Sequence, residues 1–304
     1  MRTVLRGALA LMIILALPVA VLARHSWSGY HWARTSNPFN LGIGDNMTTA
    51  DWKQHLGYAI TDWNTPTNTN NSSDVVLHLI SYNGTSGPDC SAVSGTVQVC
   101  NGTYGSNGWL GLATIWISYF GKHITQGTAQ VNDTYFNTST YNNPNEKQHV
   151  VCQEIGHTFG LDHQSTSGAD LNTCMDYFSN TGSNAGITDS TKPNAGDFDE
   201  LLCIYDPNYA HKKLTSGPHT CRGSGHLDSS NTAAAGTGNA PADKGSAADT
   251  RDPNEWGDLV SQSANGRSST YERHYADGSI KVTHVYWTLE AAENCPSCDH
   301  RYDH

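Results

Sequence analysis

Hydrophobic and polar positions along this chain follow two periods, and together they predict a layered domain. FNLGI (39–43) alternates, as a half-buried strand does. TADWKQHLGYAITDWN (49–64) sets Trp52, Leu56, Ala59, Ile60 and Trp63 on one helical face, with Thr49 suited to the N-cap. DVVLHLI (74–80) is a near-continuous apolar run and predicts a strand covered on both faces. CSAVSGTVQVC (90–100) predicts a small loop or hairpin closed by a disulfide. WLGLATIWIS (109–118) and HITQGTAQVND (123–133) predict two further strands. Asn143 as N-cap, Pro144 at the first helical position and Glu146 at the third predict a helix that opens on a capping box. It continues through 145–159 with Val151, Ile155 and Phe159 toward the core, and Gly160 ends it. A last helix is expected over 197–205. Strands mixed with long helices around one core predict an α/β (α+β) domain spanning residues 24–215.

The pattern changes beyond that domain. Residues 216–252 are rich in Gly, Ser, Ala, Asn and Thr, and Leu227 is the one large aliphatic residue of the stretch 222–250, which predicts a flexible linker. In the tail, 253–304, STYERHYADGSIKVTHVYWTLE (268–289) alternates around Asp277-Gly278, a hairpin-turn signal. A lone hairpin is marginal in water, so this small β tail is expected either to dock on the main domain or to pack with a partner. At the other end, Arg2 and Arg6 precede the apolar run Ala8–Ala20 and then Val21-Leu22-Ala23, which predicts a cleaved signal peptide over 1–23.

Composition agrees with secretion. The formal net charge is −11, and removal of Arg2 and Arg6 with the signal peptide makes it more negative, which disfavours nucleic acid or an anionic membrane as a partner. Charged residues make up 15% of the chain against a usual quarter, their place taken by Asn, Thr, Ser and Gly. The cysteines number eight, an even count that reads as disulfides behind a signal peptide. Proximity favours Cys90–Cys100 and Cys295–Cys298. The other four can pair as Cys152–Cys174 and Cys203–Cys221.

Candidate chemistry concentrates in VVCQEIGHTFGLDHQ (150–164). Residues four apart share a helix face, so Gln153 and His157 project side by side, with Glu154 on the adjoining edge. Gly160 turns the chain and brings His163 back as a third donor. Three protein ligands and one water are the usual open arrangement of catalytic zinc. His149 shares the face, but two helical turns separate it from His157 by about 12 Å of rise, too far for both to bind one ion. It is expected to be solvated or to line a cleft wall. Asp162 can orient a ligand imidazole or simply solvate its loop. Cys152 can be tied to Cys174 or can stand in for the missing imidazole.

QEIGHTFGLDH followed by TCMDY resembles the metzincin superfamily of zinc endopeptidases, the matrixin-like and astacin-like proteases, over roughly residues 27–206. Glu154, His157, Gly160 and His163 match the motif, and Gln153 stands where its first histidine is expected. Met175 matches the Met-turn beneath the metal, and Tyr177 matches a tyrosine that in some of these families stabilises the transition state. The resemblance implies a zincin-like fold: a twisted mixed sheet, an active-site helix and two further long helices. It implies zinc held by Gln153, His157 and His163, a metal-activated water, Glu154 as general base and a protein or peptide substrate. Calcium is a further cation that no motif supports. The substrate is expected along an edge strand near 123–131, by β-augmentation, and the protein is expected to be a monomer. The alternative is a catalytically inactive metzincin-like extracellular binding protein.

Overall fold

The computed structural model describes residues 26–67, 75–119, 122–165, 167–206, 227 and 250–302. The expected signal peptide and nearly all of the expected linker lie outside the described residues. Nine strands form one mixed sheet: β1 (His31–Trp32), β2 (Phe39–Asn46), β3 (Leu77–Asn83), β4 (Thr96–Gly102), β5 (Trp109–Ile117), β6 (His123–Asn132), β7 (Asp258–Gln262), β8 (Ser268–His274) and β9 (Ile280–Trp287). Five α-helices accompany it among the described residues: α1 (Ala50–Trp63), α2 (Asp133–Phe136), α3 (Pro144–His157), α4 (Ala195–Tyr205) and α5 (Leu289–Asn294). The order across the sheet is β3-β2-β4-β6-β5-β9-β8-β7, with β1 a short parallel partner to the start of β6. The β3-β2-β4-β6 half is parallel. From β6 through β5, β9, β8 and β7 every pairing is antiparallel.

The helices form as the apolar spacing predicts. Thr49 Oγ1 accepts from Trp52 N and starts α1, which buries Trp52, Leu56, Ala59 and Trp63. Full burial of each such apolar side chain stabilises the fold by about 1.5–3 kcal/mol. Helices α1 and α3 lie side by side, joined by Trp63 Nε1 donating to Cys152 O at 3.1 Å. Helix α3 starts at Asn143, whose side chain accepts from Asn145 N, with Pro144 in the first turn. The expected capping box does not close there. Glu146 is drawn inward and accepts from Asn180 N and Ser179 Oγ instead. A capping box does form at α4, between Asn194 and Asp197.

Three strand expectations are corrected. The run 74–80 is not covered on both faces: β3 is an edge strand, paired on one side with β2, and Ile80 is 48% exposed. The 90–100 segment carries its expected Cys90–Cys100 disulfide, but its second half is β4, paired with β2 and β6 inside the sheet, rather than a hairpin arm. Residues 123–131 are not an edge, because β6 is hydrogen-bonded to β4 on one side and β5 on the other. An extended peptide cannot add to a strand whose two sides are both paired.

The tail extends the same sheet. Strand β9 pairs with β5 from Ile117↔Ile280 to Trp109↔Trp287. Both of its faces are buried: Val282 and Tyr286 join the main core beneath α3, while Val285 and Trp287 join a second core with Trp109, Leu112, Trp256 and Tyr271. Period two therefore puts His284, between Val282 and Tyr286, on the α3 side. The hairpin is thereby relieved of its marginal stability by two hydrophobic layers rather than one.

Candidate metal centre

Helix α3 gives way to a sharp turn because Gly160 has φ +96°, and a Cβ there would meet Tyr30 O at 2.2 Å. Only glycine suits both the left-handed backbone and that approach. The turn accepts Trp27 N on Gly160 O at 3.0 Å, and Ser26 bridges to Leu161, so the N-terminal segment is held over the helix end. His157 at the end of α3 and His163 beyond the turn then converge, their ring centroids 4.6 Å apart.

The third imidazole is His284 of β9. Its ring centroid lies 3.9 Å from that of His157 and 4.8 Å from that of His163. One nitrogen from each of the three lies within 4.8 Å of the others, and the residues are 0%, 3% and 0% exposed for His157, His163 and His284. Zinc–nitrogen bonds of about 2.0–2.1 Å in a tetrahedron set ligand atoms about 3.3 Å apart, so these imidazoles need to draw in by roughly 1.5 Å at most. The donor set suits zinc in kind, three buried imidazoles with a carboxylate alongside, and ligation by His284 requires one of its two nitrogens to leave its present partner, Glu154 Oε2 for Nδ1 or Ser268 Oγ for Nε2.

Each imidazole has an orienting neighbour. His157 Nδ1 is 2.9 Å from Leu161 O, which makes Nδ1 the protonated nitrogen and turns Nε2 toward the cluster. His163 Nδ1 is 3.4 Å from Asp162 Oδ1, which also accepts from His163 N. His284 Nδ1 is 3.1 Å from Glu154 Oε2, and its Nε2 is 2.7 Å from Ser268 Oγ.

Glu154 is fully buried, and among the described residues its Oε1 has no hydrogen-bond partner. Room for it comes from Gly111 on β5, where a Cβ would meet Oε1 at 2.5 Å. Burial pushes the carboxyl pKa up, and the neighbouring His284 partly offsets that. Tyr177 packs its ring 4.0 Å from that of His163, and burial raises its phenol well above the usual range. Met175 lies under the helix where Gly156 leaves space: a Cβ on Gly156 would meet Met175 Sδ at 2.6 Å.

Gln153 is held by its amide nitrogen, while its Oε1, the atom expected to ligate, is buried with no hydrogen-bond partner among the described residues. Its Nε2 donates to Cys174 O at 3.0 Å and Asp176 O at 2.6 Å, and lies 3.2 Å from His149 Nε2. The two carbonyls fix which end of the amide is nitrogen, since an oxygen there would face two acceptors. The Cys152–Cys174 disulfide ties the same helix to the same segment, so neither cysteine is available as a thiolate. His149 is not solvated. It is fully buried, its ring stacked 5.8 Å from Tyr286 of β9, and burial lowers its pKa to about 4.

The structure thus brings Glu154, His157, His163 and Tyr177 close together, with Met175 against Gly156 of the same helix, and adds two residues that the sequence did not mark. His284 had one signal, a histidine at an inward position of a strongly alternating strand. Trp27, stacked at 4.8 Å and 6° on His157 and 6.1 Å from His284, had none. A scan against protein-family models matches none of them, and a search of curated proteins finds no match.

Proposed function

We propose that this chain is a secreted zinc-dependent endopeptidase of metzincin type, in which His157, His163 and His284 hold the metal and Glu154 is the general base. The observation that carries the reading is the convergence of three buried imidazoles beside a buried carboxylate from the same helix as the first. That donor set suits zinc rather than calcium, which takes oxygen ligands. Zinc bound there supplies a Lewis acid that acidifies a water molecule and polarises a carbonyl.

The remaining work falls to the chain's own side chains. Glu154 Oε1, buried and without a hydrogen-bond partner among the described residues, is the atom assigned to receive the proton of the attacking water. Its raised pKa lets it hold that proton until the departing amine takes it. Tyr177 keeps its phenolic hydrogen and donates it as a hydrogen bond to the developing oxyanion. Leu161 O keeps the His157 imidazole turned inward, and Asp162 Oδ1 holds the His163 backbone. His284 takes the place expected of Gln153, and Gln153 instead clamps α3 to the backbone around Met175. The metzincin assignment draws support from the order of elements: parallel strands with the antiparallel β5 inserted before the last of them, β6, then helix α3, the turn at Gly160 and a methionine beneath. The disulfides suit an oxidising compartment, in agreement with secretion.

A second reading, an inactive extracellular binding protein on the same scaffold, draws on the complete burial of His157, His284 and Glu154. Zinc analysis of the purified protein, with cleavage of an unfolded protein substrate followed with and without a chelator, separates the two. Stoichiometric zinc with chelator-sensitive cleavage that is lost in Glu154→Gln is the expected result. Zinc without cleavage favours the binding protein, and no zinc at all removes the metal centre.

A further inference from the structure

A cavity of about 430 Å³ adjoins the metal centre on the side of Trp27. That size is ordinary for a ligand pocket, roughly 300–1,000 Å³. Its wall includes Trp27, Asp162, Val260, Thr270, Glu272 and Val282. Sheet register connects it directly to the cluster. Thr270 is the cross-strand partner of His284, and Glu272 is the partner of Val282. Val282 precedes His284 by two residues, so both face one side of β9 about 6.8 Å apart. Asp162 is the residue before His163, and Trp27 stacks on His157. Each of the three imidazoles therefore has an immediate neighbour in the cavity wall.

The chemistry of that wall is one-sided. Val260 and Val282 offer apolar surface, Trp27 an indole, Thr270 and nearby serines hydroxyls, and Asp162 and Glu272 two carboxylates. The charged groups around it are accounted for. Asp162 faces His163 at 3.4 Å, Glu272 Oε2 has the exposed His274 at 3.5 Å, and Lys122 at the rim turns its ammonium to Ser28 O at 2.6 Å. An alkyl stem lying on valine and indole, with a planar cation at its end, matches this combination. A carboxylate accepts a guanidinium fork through two parallel hydrogen bonds. A chain of net charge −11 repels an anionic guest at the same place.

We propose that this cavity is the specificity pocket of the enzyme and receives an arginine side chain of the peptide substrate, with Glu272 as the residue that selects it. The inference names the substrate class of the hydrolase proposed above and rests on that reading for the cleavage step alone. Two readouts keep the two ideas apart. The first is binding of n-butylguanidinium, which has no bond to hydrolyse, against its neutral isostere n-butylurea, measured by calorimetry on the full zinc-loaded chain. The second is cleavage of a peptide series that differs only in arginine, norleucine or glutamate at one position.

The expected results are tighter binding of the guanidinium than of the urea by about tenfold or more, and a matching preference for the arginine peptide. In Glu272→Gln both preferences collapse toward one while zinc content stays at the wild-type level. Glu272→Arg, a second variant in case the first folds poorly, moves the peptide preference to glutamate. Equal binding of guanidinium and urea by the wild-type chain overturns the pocket assignment, whether or not peptides are cleaved. Guanidinium selectivity without any cleavage overturns the hydrolase and leaves the pocket standing.

Discussion

The α3 side of the metal centre and the β9 side are held by different means. His157 and His163 are a few residues apart, fixed by one turn, and α3 is joined covalently to the Met175 segment by Cys152–Cys174. His284 lies 130 residues beyond Glu154 and is aimed by sheet register with β5. The tail's own bridge, Cys295–Cys298, closes a three-residue step within the tail. It is non-covalent contacts that tie the hairpin to α3: Arg267 against Glu146, Tyr286 against His149, and His284 against Glu154. One side is organised locally. The other is correct only while a remote hairpin stays docked, so the completeness of the centre is a property of tertiary packing.

The largest expected effect breaks that comparison at its middle. His284→Ala lowers zinc affinity by more than the roughly 10–100-fold that loss of an outer partner causes. Competition against a chromophoric chelator reads it, with Gln153→Ala run beside it and expected to keep its zinc. Wild-type affinity in His284→Ala would return the third ligand position to Gln153. Next comes the contact that docks the hairpin. Arg267 is 3% exposed, with Nη2 3.7 Å from Glu146 Oε1 and its guanidinium 4.6 Å over the Tyr286 ring. Arg267→Ala leaves Glu146 buried without its cation and is expected to cost about 3–5 kcal/mol in urea unfolding. A cost below about 1 kcal/mol would mean that the pair does not hold the two sides together.

The pH dependence probes the same junction from α3. His149 titrates at about 4 when folded, below its ordinary 6.5, because it is buried. Above the ordinary value both folded and unfolded chains carry it neutral, and its burial is fully tolerated. As pH falls from 6.5 toward about 4 the unfolded chain takes up the proton first, so stability drops through that window by roughly 2–4 kcal/mol. Replacement by phenylalanine should flatten this part of the stability profile. An unchanged slope in His149→Phe would assign the acid sensitivity to other groups. Smallest is Gln153→Leu, which strands the carbonyls of Cys174 and Asp176 and should cost about 1–3 kcal/mol with zinc retained. A loss of zinc comparable to that of His284→Ala would make Gln153 a ligand after all.

Much of the local side could be read from the residues alone. Apolar spacing gave α1 and the end of α3, Gly160 marked the turn, and that turn brings His163 back beside His157. Cys152–Cys174, one of the pairings the cysteines allow, is the bond that forms. The remote side could not be read in this way. Alternation in 280–287 identifies a strand but not its neighbour, and the neighbour, β5, decides that His284 reaches the metal centre. Strand β6 was misjudged as an edge for the same reason, since pairing partners are set by long-range register. Glu146 fits a capping box by sequence, yet the buried cation Arg267, just before β8, and the amide of Asn180 compete for it and win. Gln153 was expected as a ligand because it stands at the motif's first histidine position, one turn before His157. The two carbonyls that claim its amide come from a segment about twenty residues further on.

The distance along the chain between Glu154 and His284 also sets an order of events. A polypeptide made from its N-terminus finishes the helix and the turn long before the last imidazole is synthesised. The nascent chain therefore passes through most of its production with two of the three clustered histidines, and the cluster is completed only when β9 has been made and has docked on β5.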